Sequence, residues 1–208
     1  MPFPFAKSDT IISAVPPETV PILIILVSIV GFTIIIERWV FFWKLKPIDR
    51  DLLRKTRELL KLEKWDEARD LLSRTSLAPA SVVLQLAIDL RRQESEDLEI
   101  EIRSEGFRQI SLMERYLTGL GTIATIAPLL GVLGTVIGIV RSFAEGAGTK
   151  GAEVGISEAL ITTAMGLGVA IPAYIFYNFF SRTKEERTVE LENATEEVMP
   201  FLSKKGKP

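Results

Sequence analysis

The sequence predicts an all-α integral membrane protein. It has three transmembrane helices, the second and third extended into the cytoplasm as long helices, plus a helical cytoplasmic domain. Three observations lead there. Residues 19–36, 116–140 and 159–181 of the 208-residue chain contain no Asp, Glu, Lys or Arg. A helix needs roughly 20 residues to cross a hydrocarbon core about 30 Å thick, and the second and third stretches meet that length directly. Residues 37–115, by contrast, hold 16 basic and 16 acidic residues with apolar positions at helical spacing. Finally, Lys and Arg near the span ends divide ten against three. The ten are Arg38, Lys44, Lys46, Arg50, Arg103, Arg108, Arg115, Arg182, Lys184 and Arg187, against Lys7, Arg141 and Lys150. The positive-inside rule then puts the N-terminus and the loop between spans two and three outside, and the long connection and the tail in the cytoplasm.

Taken in order, residues 1–18 read as a short periplasmic segment and 19–43 as the first span. Trp39, Val40, Phe41, Phe42 and Trp43 extend that span into an interfacial aromatic belt. Its apolar run starts too late and runs too long for a signal-peptide core, and Glu37-Arg38-Trp39 offers no small-residue cleavage site, so the helix is retained. Residues 44–115 form a cytoplasmic helical region. Asp49-Arg50-Asp51 caps a helix through Leu62; residues 65–73 make a second around Trp65, Ala68, Leu71 and Leu72; Pro79 opens a third. From about Ser95 the apolar positions Leu98, Ile102, Ile110, Met113 and Leu117 continue without a breaker, which predicts one long helix into span two at 116–140. Residues 141–158 are a short periplasmic loop, 159–181 the third span and 182–208 a helical tail closed by Pro200 and the lysines after it. The extensions of spans two and three are expected to pack together as a cytoplasmic bundle. There is no internal repeat.

Composition narrows the chemistry. The chain has no His and no Cys, which excludes His-dependent triads, His-ligated metal sites, disulfides and thiolate catalysis. No catalytic residue, metal site or cofactor is expected, and the chain is not read as an enzyme. A net charge of −2 gives no reason to expect nucleic acid as a partner. The spans are instead rich in small and hydroxyl residues. At 100° per residue Gly131, Gly134, Thr135, Gly138 and Ser142 fall in one sector of span two, where Gly134 and Gly138 form a GxxxG pair. Such faces bring membrane helices close. Ala159, Thr162, Thr163, Gly166, Ala170, Ala173 and Tyr177 share a face of span three, and Pro128 and Pro172 interrupt the two helices as kink sites. Close packing alone accounts for the glycines. Glu158 is expected to begin the third helix, either as a dipole partner or as an ion-accepting group at a pore mouth. No Asp, Glu or Lys lies mid-span, so a proton relay would need a carboxylate from another polypeptide, set among the hydroxyls.

Ala127-Pro128-Leu129-Leu130-Gly131-Val132-Leu133-Gly134-Thr135-Val136-Ile137-Gly138 resembles the span-two signature of the ExbB/TolQ/MotA proton-channel family. Gly155-Ile156-Ser157-Glu158-Ala159-Leu160, Thr163-Ala164-Met165-Gly166-Leu167 and Ala170-Ile171-Pro172-Ala173, with Tyr177-Asn178, resemble its span-three signature. Ile137 stands where the family often has an aromatic. Three spans match the ExbB/TolQ type rather than four-span MotA. The resemblance implies a homo-oligomer, pentameric in this family, in the bacterial inner membrane. Its spans two and three would line a pore holding an ExbD/TolR-type single-span partner whose intramembrane Asp carries the proton. It further implies that a TonB/TolA-type transducer receives the work. The family's pore-lining threonines fall on Thr135 and Thr163, with Thr162 beside them, and its outer glutamate on Glu158. The rival reading is a structural membrane scaffold whose Gly and Thr faces only pack helices.

Overall fold

A computed structural model describes Pro16 and residues 18–74, 77–144 and 150–202. Among the described residues the secondary structure is helix joined by turns, with no strand. The helices are α1 (Thr19–Lys44), α2 (Arg50–Lys61), α3 (Trp65–Ser73), α4 (Pro79–Arg92), α5 (Leu98–Glu114), α6 (Leu117–Ala144) and α7 (Lys150–Leu202). Three helical stretches are long and apolar enough to cross a membrane: Thr19–Lys44, the stretch containing α6, and α7. The short segment expected at 1–18 lies almost wholly outside the described residues, as do the tip of the outer loop at 145–149 and the lysines after Leu202.

The chain divides into two compact units. One comprises Met1–Glu37 with Tyr116–Asn178, the other Arg38–Arg115 with Phe179–Pro208. Small residues build the first. A Cβ on Gly31 would sit 3.4 Å from the Ile123 side chain, and one on Gly121 3.0 Å from the Tyr177 ring, so α6 is pressed against both α1 and α7. Long apolar side chains on the outer faces, among them Ile29, Phe32, Leu129 and Ile171, stay more than half exposed. In a bilayer such faces meet lipid or neighbouring protein rather than water.

The second unit has a conventional aliphatic core. Leu60, Leu72, Val83, Leu84, Ile88 and Ile102 are 2% exposed or less. Leu191, Ala194, Val198 and Leu202, one face of α7, complete the same cluster. The predicted bundling of the helical tail is therefore observed within this unit. Each buried leucine or isoleucine contributes about 1.5–3 kcal/mol. Local signals set the helix starts. Asp49 accepts the Asp51 N–H at 3.1 Å as N-cap of α2, and Pro79 stands in the first turn of α4 where its missing N–H is harmless. On α5, Arg108 donates two hydrogen bonds to Glu105, at 2.7 and 2.8 Å, and Gln109 a third at 2.7 Å. The Arg108 bond leads in holding the Glu105 carboxyl below its ordinary value of 4.5, against a burial that works the other way.

Two expectations need correction, on the helix into span two and on the start and end of α7, and two side chains at the end of the first span turn inward. The long helix into span two is interrupted: α5 ends at Glu114, and Tyr116 adopts φ 64° before α6 starts. Arg38, among the charges flanking the first span, is only 2% exposed. It donates to the carbonyls of Leu112 at 3.1 Å and Met113 at 3.5 Å, and its guanidinium carbon lies 4.4 Å from the Phe41 ring centroid. Within the aromatic belt, Trp39 and Trp43 are exposed, but Phe42 is buried and stacked on Phe180 at 5.4 Å. Lastly, α7 begins at Lys150, so Glu158 lies in its third turn rather than at its start, and the helix runs through Pro200 to Leu202.

Candidate functional site

The small-residue faces of α6 and α7 meet as their spacing predicts. A Cβ on Gly131 would lie 3.0 Å from the Thr163 Cα and 3.2 Å from the carbonyl oxygens of Thr162 and Thr163. One on Gly166 would lie 2.5 Å from the Ala127 carbonyl oxygen and 3.0 Å from the Gly131 Cα. Main chain faces main chain here, and only glycine leaves room. Further along, Gly134 receives the γ-methyl of Thr162, and a Cβ on Gly138 would come within 2.6 Å of the Ala159 Cβ. Ala159, Thr162, Gly166, Ala170 and Ala173 are all buried along this face of α7. Helical structure continues through Pro128, half-buried in α6, and through Pro172, exposed on α7.

That close approach brings two hydroxyls together. Thr135 and Thr163 are hydrogen-bonded to each other through their Oγ1 atoms. The Thr163 hydroxyl also lies 3.0 Å from the Gly131 carbonyl oxygen on the opposite helix. Thr135 reaches the same carbonyl at 3.0 Å and that of Ala159 at 3.3 Å. Each hydroxyl has one hydrogen and two acceptor lone pairs. Two hydrogens are thus distributed over the pair and two carbonyls, and one hydroxyl can reverse its direction only if the other responds. Both residues are partly exposed, so the pair is accessible from outside the α6–α7 contact.

The remaining candidates separate from this pair. Thr162 is 6% exposed and donates to the Glu158 carbonyl at 3.1 Å, the backbone bond typical of threonine in membrane helices. Glu158 is exposed. Thr162 and Glu158 both line a cavity of about 790 Å³, together with Glu18, Gly134, Arg141 and Lys150. Thr135 and Thr163 do not line it. The site therefore has two parts: a charged, open cavity where α1 begins, α6 ends and α7 begins, and a hydroxyl pair deeper along the seam. Sequence reasoning missed the carbonyls of Gly131 and Ala159, which hold the pair. A glycine directly opposite a threonine was the signal for the first. Nothing local marked the second.

Within spans two and three no side chain carries a full charge at neutral pH, because residues 116–140 and 159–181 lack Asp, Glu, Lys, Arg and His. The hydroxyls can accept from a protonated acid or donate to its anion, and stabilise both forms. They cannot carry a proton alone.

Residues 67–193 match the MotA/TolQ/ExbB proton channel family. The chain is similar to a biopolymer transport protein ExbB of Salmonella typhimurium, 35% identical over 175 residues that cover 76% of this chain and 70% of the relative. It is similar also to a putative biopolymer transport protein ExbB-like 3 of Synechocystis, 31% identical over 160 residues, 74% of this chain and 76% of the relative. A Tol-Pal system protein TolQ of Haemophilus influenzae is 43% identical over a shorter stretch of 79 residues, 36% and 35% of the two chains.

Proposed function

This chain belongs to the MotA/TolQ/ExbB proton channel family, and from that premise we propose that it is the ring-forming subunit of a proton-driven motor in the bacterial inner membrane. The family is of the channel type, not an enzyme family. In this reading copies of the chain assemble as a pentamer, with the N-terminus periplasmic and the second unit in the cytoplasm. Spans two and three face a pore that holds the membrane helices of an ExbD/TolR-type partner. An aspartate on that helix carries the proton, and a TonB/TolA-type protein receives the resulting motion. The observation that carries the proposal is the Thr135–Thr163 hydroxyl pair, set by a glycine seam into spans with no Asp, Glu, Lys or Arg of their own.

The choice of hydroxyls is what a reversible step requires. A Lys or Arg beside the partner's aspartate would hold it ionised and block proton uptake. An apolar wall would leave the carboxylate unsolvated. A hydroxyl pair accommodates either state. Glu158, exposed at the cavity of the same unit, serves as an acceptor at the outer mouth, with Thr162 fixing the local helix beneath it.

The test is native mass spectrometry of the protein co-expressed with a single-span partner bearing an intramembrane Asp, followed by proton-flux measurement in vesicles. A closed ring that captures fewer partner helices than it has subunits, and that loses flux on Thr163→Val without losing the ring, supports the proposal. A monomer or dimer that ignores the partner overturns it. One observation favours the scaffold reading: Thr122, Thr125, Thr135 and Thr162 each lie in hydrogen-bonding reach of the carbonyl one turn back, as threonines with a purely packing role do. Under that reading Thr163→Val leaves function intact.

A further inference from the structure

The arrangement at Gly131 recurs once along the same seam. There a glycine, a threonine one turn after it and a hydroxyl-bearing residue of α7 come together as Gly131, Thr135 and Thr163. Ten residues earlier on α6 the same spacing returns as Gly121 and Thr125. Thr125 donates to the Gly121 carbonyl at 3.0 Å, just as Thr135 reaches that of Gly131 at 3.0 Å. Opposite Gly121 stands Tyr177. A Cβ on Gly121 would lie 3.0 Å from the Tyr177 Cε2 and 3.2 Å from its Cζ, the ring carbon that bears the hydroxyl. The hydroxyl end of the ring, and not its root, therefore abuts the turn of α6 that Thr125 closes.

Ten residues of helix rise about 15 Å, so the two levels are well separated along α6. From Ile126 to Leu133 the exposed side chains of α6 are Ile126, Leu129, Val132 and Leu133, all aliphatic. Polar groups are thus concentrated at two levels and not spread along the wall. Packing alone accounts for Gly121, since a ring pressed on a helix needs a residue without a side chain. It does not account for the hydroxyl of Thr125, which is exposed. A threonine that donates to the carbonyl one turn back keeps two acceptor lone pairs, and a phenol both donates and accepts.

We propose that Thr125 and Tyr177 are positioning residues of a second hydroxyl station, which anchors water on the cytoplasmic side of the Thr135–Thr163 pair and drains protons from the partner's aspartate. This inference rests on the motor reading above. The first pair stabilises acid and anion alike and so does not itself remove the proton. The aliphatic stretch beyond it offers water no anchor, and the second station is where a file of water regains one. In the step, the partner's carboxylic acid gives its proton to that file and returns to carboxylate. The file passes a proton on to bulk water, and both hydroxyls keep their own hydrogens throughout.

The experiment is proton flux in vesicles holding the protein with its single-span partner, measured against outer pH at fixed inner pH. Slower departure of the proton lowers the maximum flux and the half-saturating proton concentration together, whereas a loss of assembled channels lowers the maximum alone. Thr125→Val and Tyr177→Phe are expected to lower both by about fivefold, the contribution of one hydrogen bond, and Thr125→Ser to recover both. Should Thr125→Val not accumulate, Thr125→Ala replaces it under the same expectation. Thr122→Val is the control and is expected to match wild type, because the Thr122 hydroxyl bonds the Thr118 carbonyl, at 2.9 Å, and not that of a seam glycine. Thr163→Val reports on the motor reading separately. If it is silent while Thr125→Val follows the wild-type curve, lowers the maximum without moving the half-saturation point, or behaves as Thr122→Val does, the second station is overturned and the motor reading stands. Absence of flux in the wild type overturns the motor reading and the station with it.

Discussion

Gly166→Ala adds one methyl group at the tightest point of the α6–α7 seam. The new Cβ would stand 2.5 Å from the Ala127 carbonyl oxygen, 3.0 Å from the Gly131 Cα and 3.1 Å from the Gly131 nitrogen. All three are main-chain atoms, so no rotamer change relieves them. Ordinary contact begins at 3.4 Å, and the helices must therefore part by about 0.9 Å at this point. The same displacement would stretch the 3.0 Å approach of the Thr163 hydroxyl to the Gly131 carbonyl beyond hydrogen-bonding distance. Overpacking of this kind costs about 1–3 kcal/mol. Gly168→Ala is the internal control, being the same substitution two residues along the same helix with nothing within 4 Å of the added atom. Both variants gain the same helix propensity, up to about 1 kcal/mol, so their difference isolates the collision. At about 2–4 °C per kcal/mol for a chain of this size, Gly166→Ala should melt roughly 2–12 °C below Gly168→Ala when helical circular dichroism is followed in detergent. If the two variants melt together, or Gly166→Ala melts higher, the seam as described is wrong.

Three further outcomes are expected. Thr135→Ser and Thr163→Ser keep a hydroxyl and should retain most proton-driven work, whereas Thr135→Val and Thr163→Val should abolish it with the protein level unchanged; uptake assays in a host lacking its own motor distinguish these. Glu158→Gln should reduce proton flux partially and leave the oligomer intact, since Thr162 bonds the Glu158 carbonyl and not its carboxylate; flux equal to wild type would remove Glu158 from the pathway. The Glu105 carboxyl has a folded-state value below its ordinary 4.5, so the unfolded chain binds its proton first as pH falls. Its stabilisation is complete above about pH 4.5 and lost as pH drops through the folded-state value. Melting temperature should decline over that acid range, and Glu105→Gln should flatten the decline.

What the sequence made legible was whatever local chemistry decides. Trp65 and Pro79 start helices where expected, because a proline and an acidic first turn act within one turn of the chain. The seam was legible because a hundred-degree period maps Gly131, Gly134, Thr135 and Gly138 onto one face whatever surrounds them. The break at Tyr116 was not, since Met113 to Leu117 include no glycine or proline to mark it, and a charged residue flanking a span looks the same whether it snorkels to the interface or turns inward as Arg38 does. The early start of α7 was hidden too. Gly151, Gly155 and Ser157 read as loop, but Gly155 lies against the Ser142 hydroxyl, so a tertiary contact outweighs the weak propensity.

The way Gly131 and Gly166 meet also sets how force passes between α6 and α7. Long side chains interlocked across a helix pair act like gear teeth, and one helix cannot slip without driving the other's rotamers over their barriers. At this seam the surfaces around Gly131 and Gly166 are bare backbone, with the Thr162 methyl and the Ala159 Cβ as low ridges and the Thr135 and Thr163 hydroxyls bonded across. Such a contact is a plain bearing. It resists compression because nothing can be pushed closer, and what opposes sliding and axial turning is the few hydroxyl bonds across it and not interlocked side chains. Bulk added along it acts as grit: the smallest possible side chain at Gly166 is enough to seize it.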